Sequence, residues 1–172
     1  WTFVQSLVPT DLQLADYYGF SIAMDTDYVA VGATGQDNLT YAYSDAGAVY
    51  VYAYGGGVWN FQQKLSGTVA RGQFGLAIAL SSSRLAVGAP WATTYSNTSA
   101  SVYMYNRTGS TWANTWTGFI YNFEVLPLAG QIQPVTGTTS ISVANLTFGI
   151  SLSLAGKTLL IGSSGGMDYP NG

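Results

Sequence analysis

The stretch Phe74-Gly-Leu-Ala-Ile-Ala-Leu80, followed after a short polar turn by Leu85-Ala-Val-Gly-Ala-Pro90, occurs three times in this chain. A repeat of this length decides the fold before any local pattern does, because each copy must form the same structural unit. The first copy comprises Gly19–Met24 and Val29–Ala33, and the third comprises Phe148–Leu154 and Leu159–Ser163.

Each copy predicts two antiparallel strands joined by a tight turn, since apolar runs are bounded by Asp, Ser or Gly. In the first two copies a polar loop follows, and then an aromatic, β-branched strand such as Gly47–Tyr54. The next strand begins with tryptophan, at Trp59 and Trp112. No helical period persists over a useful length. The sequence therefore predicts an all-β chain built from four-stranded antiparallel units.

This order of motifs resembles FG-GAP repeats, the blades of integrin-type β-propellers. The resemblance is carried by the Phe-Gly pair, the Leu-x-Val-Gly-Ala-Pro strand, the Gly-Ala-Val-Tyr-Val-Tyr strand and the Trp-x-x-x-Gln-Lys-Leu strand. Residues 19–65 and 74–112 match this pattern most fully, and residues 148–162 match it in part. The resemblance implies four-stranded blades from a propeller that usually closes with about seven of them.

We expect a single repeat-built domain in which the blades are out of phase with the two ends of the chain. Trp1–Leu7 has the pattern of Trp59–Leu65, and it is therefore predicted to be the last strand of a preceding blade. The predicted units are the end of that blade (1–18), two blades (19–66 and 74–118), an insertion with one extra strand (119–147) and the start of a further blade (148–172).

An incomplete propeller exposes strand edges and apolar faces that favour pairing with further protein. Three interpretations are open. The chain is a segment of a longer propeller, or its first strand completes the unfinished blade of a neighbouring copy, head to tail and into a filament. In the third, residues 119–147 cap a compact sandwich.

Composition excludes several functions. Only 8% of the residues are charged, the net charge is -3 and no basic stripe exists, which argues against nucleic-acid binding. The chain has no His and no Cys, so a Ser-His-Asp triad, a thiol nucleophile and a conventional zinc site are excluded. No apolar run is long enough to cross a bilayer, so we expect no membrane insertion. We predict that the chain is not an enzyme.

Four Asn-x-Ser/Thr sequons predict N-linked glycans, which would keep a surface with so few charges soluble. Asn38 and Asn97 fall in equivalent polar loops, and Asn106 falls in a hairpin turn, places that we expect to be exposed. Asn145 precedes a core strand closely and is a weaker candidate. Ordinary polar turn chemistry is the alternative for all four.

Calcium is a weak prediction, because the ion needs six to eight oxygen ligands from a compact loop. The candidate ligands are Asp25 and Asp27 in the first tight turn and Asp37 and Asp45 in the long loop. None of the turns carries a full calcium-binding loop, and turn formation is the favoured role. We therefore expect no required cofactor.

The sequence favours a non-enzymatic, extracellular or cell-surface structural and adhesive glycoprotein that assembles with copies of itself or with the rest of a longer propeller. The alternative is a propeller segment that binds a protein or glycan ligand through its loops, with Trp91 and Tyr95 as test positions. Its strand aromatics are expected to fill the space between blades.

Overall fold

The computed structural model describes residues 2–92, 98–121, 124–127, 147–156 and 158–164. Within these ranges the chain forms eleven strands in three antiparallel sheets, and it contains no helix. We refer to the sheets as blades 1, 2 and 3. The predicted all-β fold is confirmed, and the sheets correspond to incomplete propeller blades rather than to a closed barrel.

Blade 1 is a four-stranded sheet with its strands in sequence order. Tight turns or hairpins join consecutive strands, except between β2 and β3, where the polar loop 34–47 intervenes. The strands are β1 (Tyr18–Met24), β2 (Tyr28–Ala33), β3 (Ala48–Gly55) and β4 (Val58–Ser66).

Blade 2 has the same four strands and one more, also in sequence order. The fifth strand, β9, pairs with the end of β8 and is the extra strand that the sequence predicts inside the insertion. The strands are β5 (Ala77–Ser81), β6 (Arg84–Ala89), β7 (Thr98–Thr108), β8 (Thr111–Tyr121) and β9 (Glu124–Pro127).

Blade 3 consists of two described strands, β10 (Thr147–Ala155) and β11 (Thr158–Ser164). They pair as β1 and β2 do, with the same register shift near the start of the first strand. The rest of the insertion and of the final segment lies outside the described residues.

The three copies of the Phe-Gly element have the same backbone conformation at their glycine, and this conformation identifies the aromatic residue of the first copy. Gly75 and Gly149 have positive φ angles of 93° and 84°, and in blade 1 the matching glycine is Gly19, at 88°. Tyr18, not Phe20, therefore occupies the phenylalanine position in the first copy. Only glycine adopts this backbone without strain, so its φ angle aligns the copies more reliably than the neighbouring aromatic residue does.

The main core lies between blades 1 and 2. It joins Val49 and Val51 of blade 1 to Leu85 and Val87 of blade 2, and Trp112 closes one side of it. A second apolar cluster covers the opposite face of blade 1 and includes Val29, Val31, Ala48, Tyr50 and Tyr52. Sheets with apolar side chains on both faces need a neighbour on each side, which explains the weak alternation of the strands.

The N-terminal segment, residues 2–17, lies against this second cluster through Leu7 and Leu12. The sequence predicts a strand at Trp1–Leu7, but residues 2–7 form no strand. The prediction is wrong about the secondary structure of residues 2–7, because a strand requires a hydrogen-bonded partner, and no described strand pairs with this segment. Its position nevertheless matches that of a fourth strand, because Gln5 forms hydrogen bonds with the Trp59 backbone.

Candidate functional site

The candidate site is the joint between successive blades, which occurs twice inside the chain. A side chain at Gly32 of blade 1 would overlap the Gly75 carbonyl oxygen of blade 2. In the same way a side chain at Gly88 would overlap the Gly149 carbonyl oxygen of blade 3. The two halves of the repeated motif thus meet across blades, where backbone rests on backbone and only glycine fits.

Ser21 adds a hydrogen bond to the first joint. Its Oγ donates to the Gly75 carbonyl oxygen at 2.5 Å. Blade 2 has Ala77 at the position of Ser21, and blade 3 has Ser151. The hydroxyl is therefore an addition to the glycine contact rather than a requirement for it.

A glutamine side chain clamps the outer strands of neighbouring blades. Gln63 Nε2 donates to the Trp112 carbonyl oxygen at 3.0 Å, and the Trp112 backbone N–H donates to Gln63 Oε1 at 2.8 Å. Gln5 makes the same pair with Trp59, at 2.9 and 2.8 Å. The N-terminal segment therefore occupies the fourth-strand position of a blade that would precede blade 1.

We define the near face as the side of blade 1 that points away from blade 2. On its first strand, Ile22 and Met24 are 65% and 67% exposed. Ile78 and Leu80 occupy the matching positions of blade 2, and they pack against the core because blade 1 covers them. The same repeat positions are thus covered in blade 2 and exposed in blade 1. The other near-face residues are Val29, Val31, Tyr50 and Tyr52.

The far face is the side of blade 3 that points away from blade 2. Leu152 and Leu154 are half-buried on the inner side, whereas Ser151, Ser153 and Leu160 are exposed. Leu160 is 66% exposed and stands where blades 1 and 2 have the fully buried Ala30 and Ala86. The far face is completed by Gly162, which pairs with Ser151.

A cleft of about 420 Å³ separates the N-terminal segment from the outer half of the near face. Lys64 Nζ and Asp11 Oδ2 form an ion pair across it at 2.7 Å, and Lys64 also lies over the Tyr50 ring. Burial by itself would raise the pKa of Asp11, but hydrogen bonds from Lys64 and Tyr50 outweigh it and lower the pKa. The ionised carboxylate therefore helps to hold the segment in place.

The near-face tyrosines are linked to one another. The Tyr18 and Tyr52 hydroxyls are 3.0 Å apart, and the Tyr18 ring meets the Tyr50 ring edge to face. The Tyr50 hydroxyl donates to Asp11 or to Gln36. Burial, and then the neighbouring groups, raise the pKa of Tyr18 and Tyr50, so both phenols stay protonated.

The weak calcium candidates serve as turn residues. Asp25 Oδ1 accepts hydrogen bonds from the backbone N–H groups of Asp27 and Tyr28, which closes the first tight turn. Asp37 Oδ1 accepts one from the Asp45 N–H and closes the long loop. In the part of the chain that the structure describes, no three acidic side chains gather in a group able to hold a metal ion.

Two of the four sequon asparagines lie among the described residues. Asn106 is exposed on β7, near its hairpin turn, and its glycan stays a prediction. Asn38 is not exposed, contrary to expectation: it is 8% accessible, and its Nδ2 donates to the Gly67 carbonyl oxygen at 2.7 Å. That nitrogen is the atom to which a glycan would attach. Asn97 and Asn145 lie outside the described residues, as does Tyr95.

The model of the FG-GAP repeat family matches residues 1–52 of the chain. Over this stretch the chain is similar to an FG-GAP repeat. The match includes the N-terminal segment, the Tyr18-Gly19 element, β1, β2 and β3 as far as Tyr52. FG-GAP repeats form β-propeller-type modules of non-enzymatic kind and occur in extracellular and cell-surface proteins. No curated protein matches the chain.

Blades 2 and 3 lie beyond the matched range, but the first four strands of blade 2 repeat the order of blade 1, and the glycine contact between blades 1 and 2 recurs between blades 2 and 3. Among the residues described, no helical segment has the length and apolar character needed to span a bilayer. The glutamine clamp is the feature that sequence reasoning missed. Its signal was present in the shared Trp-x-x-x-Gln pattern at Gln5 and Gln63.

Proposed function

We propose that the chain is a non-enzymatic structural module of an extracellular or cell-surface glycoprotein, and that it works by assembling with neighbouring subunits through its blade faces. The observation that carries this proposal is the exposure of Ile22 and Met24 at positions where blade 2 has the covered Ile78 and Leu80. Burial of each such side chain is worth about 1.5–3 kcal/mol, so the bare face favours association.

The composition supports a structural role. With neither His nor Cys, the chain lacks the side chains most often used for acid–base and thiol chemistry. The carboxylates of Asp25 and Asp37 accept backbone hydrogen bonds within turns, and that of Asp11 pairs with Lys64. The sequons and the low charge support an extracellular location with glycans in place of surface charge.

The proposal is tested by the mass of the purified, secreted chain as a function of concentration. We expect sedimentation velocity to show association, and negative-stain imaging to show filaments or rings. A particle that keeps the monomer mass at every concentration would contradict the assembly role. Peptide mapping of the same material reports glycan occupancy at each sequon.

A second candidate function is ligand binding through the loops of a longer cell-surface propeller. It is favoured by the loop between β2 and β3, where Tyr41 is 60% exposed and stacks on Tyr43 with ring centres 5.7 Å apart. Exposed aromatic faces of this kind suit the flat apolar side of a sugar ring. Trp91 is also exposed, in the matching loop of blade 2. Glycan-array binding that is lost in Tyr41→Ala and Trp91→Ala would support it.

A further inference from the structure

The joint between blades has two complementary halves, and the chain repeats both. One half is the carbonyl of a Phe-Gly glycine, provided by Gly75 or Gly149. The other half is the bare Cα of the preceding blade's Gly-Ala glycine, provided by Gly32 or Gly88. Each pairing excludes a side chain from the second glycine, so the contact recognises backbone shape.

Among the described residues, one half without a partner lies on each outer side of the three blades. On the near side is Gly19, where a side-chain atom would meet nothing within 4 Å. On the far side is Gly162, where a side-chain atom would meet only Ser151, its own strand partner. The near half carries the bare apolar pair Ile22 and Met24, and the far half carries the bare Leu160.

We infer that the partner of the near face is the far face of a second copy of this chain, docked head to tail. The inference rests on the proposed assembly function. The Gly19 carbonyl is seated on Gly162, and Ser151 Oγ donates to it as Ser21 Oγ donates to Gly75. Ile22 and Met24 then pack on Ser153 and Leu160.

A second copy is favoured over an unrelated partner because the required surface is already encoded in the chain. The near face has apolar side chains at the positions that blade 2 presents to blade 1, and the far face repeats the serine and glycine of blade 1 at Ser151 and Gly162. The joint is therefore continuous with two internal ones. It is heterologous, so repeated docking produces a ring or a filament.

The two internal joints differ from the new one at a single bulky side chain. Leu160 replaces the small Ala30 and Ala86, so the incoming blade must make room for it. The side chain that lies opposite is Met24, in place of Leu80. Methionine is unbranched and adapts to irregular gaps, which suits this exchange.

The N-terminal segment then becomes part of a blade built from two chains. Through the Gln5 clamp on Trp59, residues 2–7 occupy the fourth-strand position of the blade that precedes blade 1. In the docked pair that blade is blade 3 of the neighbour, whose β10 and β11 hold the first and second positions. The third strand position lies between β11 and residues 2–7, and no described residue fills it. In this arrangement the two copies meet through the near and far faces, and residues 2–7 do not pair directly with β11 of the neighbour.

The test places a methyl group at Gly162, whose nearest neighbour after removal of the Ser151 hydroxyl is the Cβ of residue 151 at 3.3 Å. In Ser151→Ala/Gly162→Ala the new methyl no longer meets a Ser151 hydroxyl, but it would overlap the incoming Gly19 carbonyl. Ser151→Ala alone is the matched control, because blade 2 joins blade 3 with Ala77 at that position. We expect sedimentation velocity to show a dissociation constant about 5-fold higher for the control, because it loses the Ser151 hydrogen bond, and about 100-fold higher for the double variant.

Mixing adds a test that misfolding cannot imitate. Ile22→Asp blocks the near face and leaves the far face intact, whereas the double variant does the reverse. Each variant alone should stay monomeric, and an equimolar mixture should form a dimer and nothing larger. Leu39→Asp, at a 76% exposed position in the β2–β3 loop, controls for the loss of an exposed apolar side chain.

The outcomes separate this inference from the proposed function. If the parent chain and the double variant assemble equally well, the far face is not the docking surface, although assembly itself stands. If the mixture yields no dimer, head-to-tail docking is overturned as well. If the parent chain never associates at any concentration, the proposed function fails, and this inference fails with it.

Discussion

Replacement of Gly32 by alanine should destabilise the folded chain strongly, although it adds only one methyl group. The Cβ of the new residue would overlap the Gly75 carbonyl oxygen and lie 3.2 Å from the Gly75 carbonyl carbon. It would also overlap Ser21 Oγ, which donates to the same carbonyl oxygen. Because a backbone carbonyl cannot rotate away, blades 1 and 2 must separate or shear.

The expected cost is at the upper end of the range for overpacked sites, about 3 kcal/mol. Separation also strains the Ser21 hydrogen bond, whose net contribution is about 1 kcal/mol. For a chain of this size we expect the thermal midpoint to fall by about 6–12 °C. Differential scanning calorimetry and urea titration of Gly32→Ala measure the two quantities independently.

Two further variants locate the origin of the effect. Gly55→Ala is the matched control, since the nearest atom to its new Cβ is Asn60 Nδ2 at 4.0 Å, and its stability should change by less than about 0.5 kcal/mol. Ser21→Ala/Gly32→Ala removes the serine overlap and keeps the carbonyl overlap, so it should not recover. If Gly32→Ala and Gly55→Ala have the same thermal midpoint, or if Ser21→Ala/Gly32→Ala regains the midpoint of the parent chain, the close backbone contact does not hold blades 1 and 2 together.

Three other predictions concern the glutamine clamp, the tyrosines and the exposed sequon. Gln63→Leu removes two hydrogen bonds between blades 1 and 2 and should lower the free energy of unfolding by about 2 kcal/mol. Gln5→Leu removes the equivalent two bonds between the N-terminal segment and Trp59, and it should chiefly speed hydrogen exchange of that segment. Equal effects of the two variants on both measurements would contradict the different roles of the two clamps. The raised pKa values of Tyr18 and Tyr50 mean that the folded chain keeps phenol protons which the unfolded chain loses near the ordinary value of 10. Their contribution to stability is therefore fully present below pH 10 and declines above it, which urea titration combined with tyrosinate absorbance would detect; a flat profile up to about pH 12 would exclude burial of these hydroxyls. When the chain is secreted from a glycosylating host, Asn106→Gln should lose the mass of one glycan and keep the thermal midpoint, and an unchanged mass would show that this site is unoccupied.

Much of the strand architecture could be predicted from the chain because the repeat specifies each strand several times over. The paired strands, the tight Asp25 turn and the burial of Tyr50 and Trp112 all agree with the pattern. The extra strand within the insertion agrees as well. These features depend on residues close together in sequence, where apolar runs and turn residues act directly on the backbone.

Three expectations depended on distant residues, and the structure altered them. The strand predicted at residues 2–7 is absent because no neighbouring strand pairs with it, although the Gln5 clamp still fixes its position. Asn38 has the composition of an exposed loop, yet its amide is buried against Gly67, which lies in a different connection. The sequence places the first copy at Gly19–Met24, whereas the φ angle of Gly19 shows that its aromatic position is Tyr18, one residue earlier.

The sequence by itself determined that the chain folds into repeated antiparallel strands grouped in blades. Only the tertiary structure showed why the motif has two glycines. Gly32 of blade 1 contacts Gly75 of blade 2, so each glycine is required by a residue of a different blade. It also showed which faces are bare, since Ile22 and Ile78 have the same local pattern and differ only in having a neighbour. Local pattern sets the strand, whereas burial depends on what lies against it.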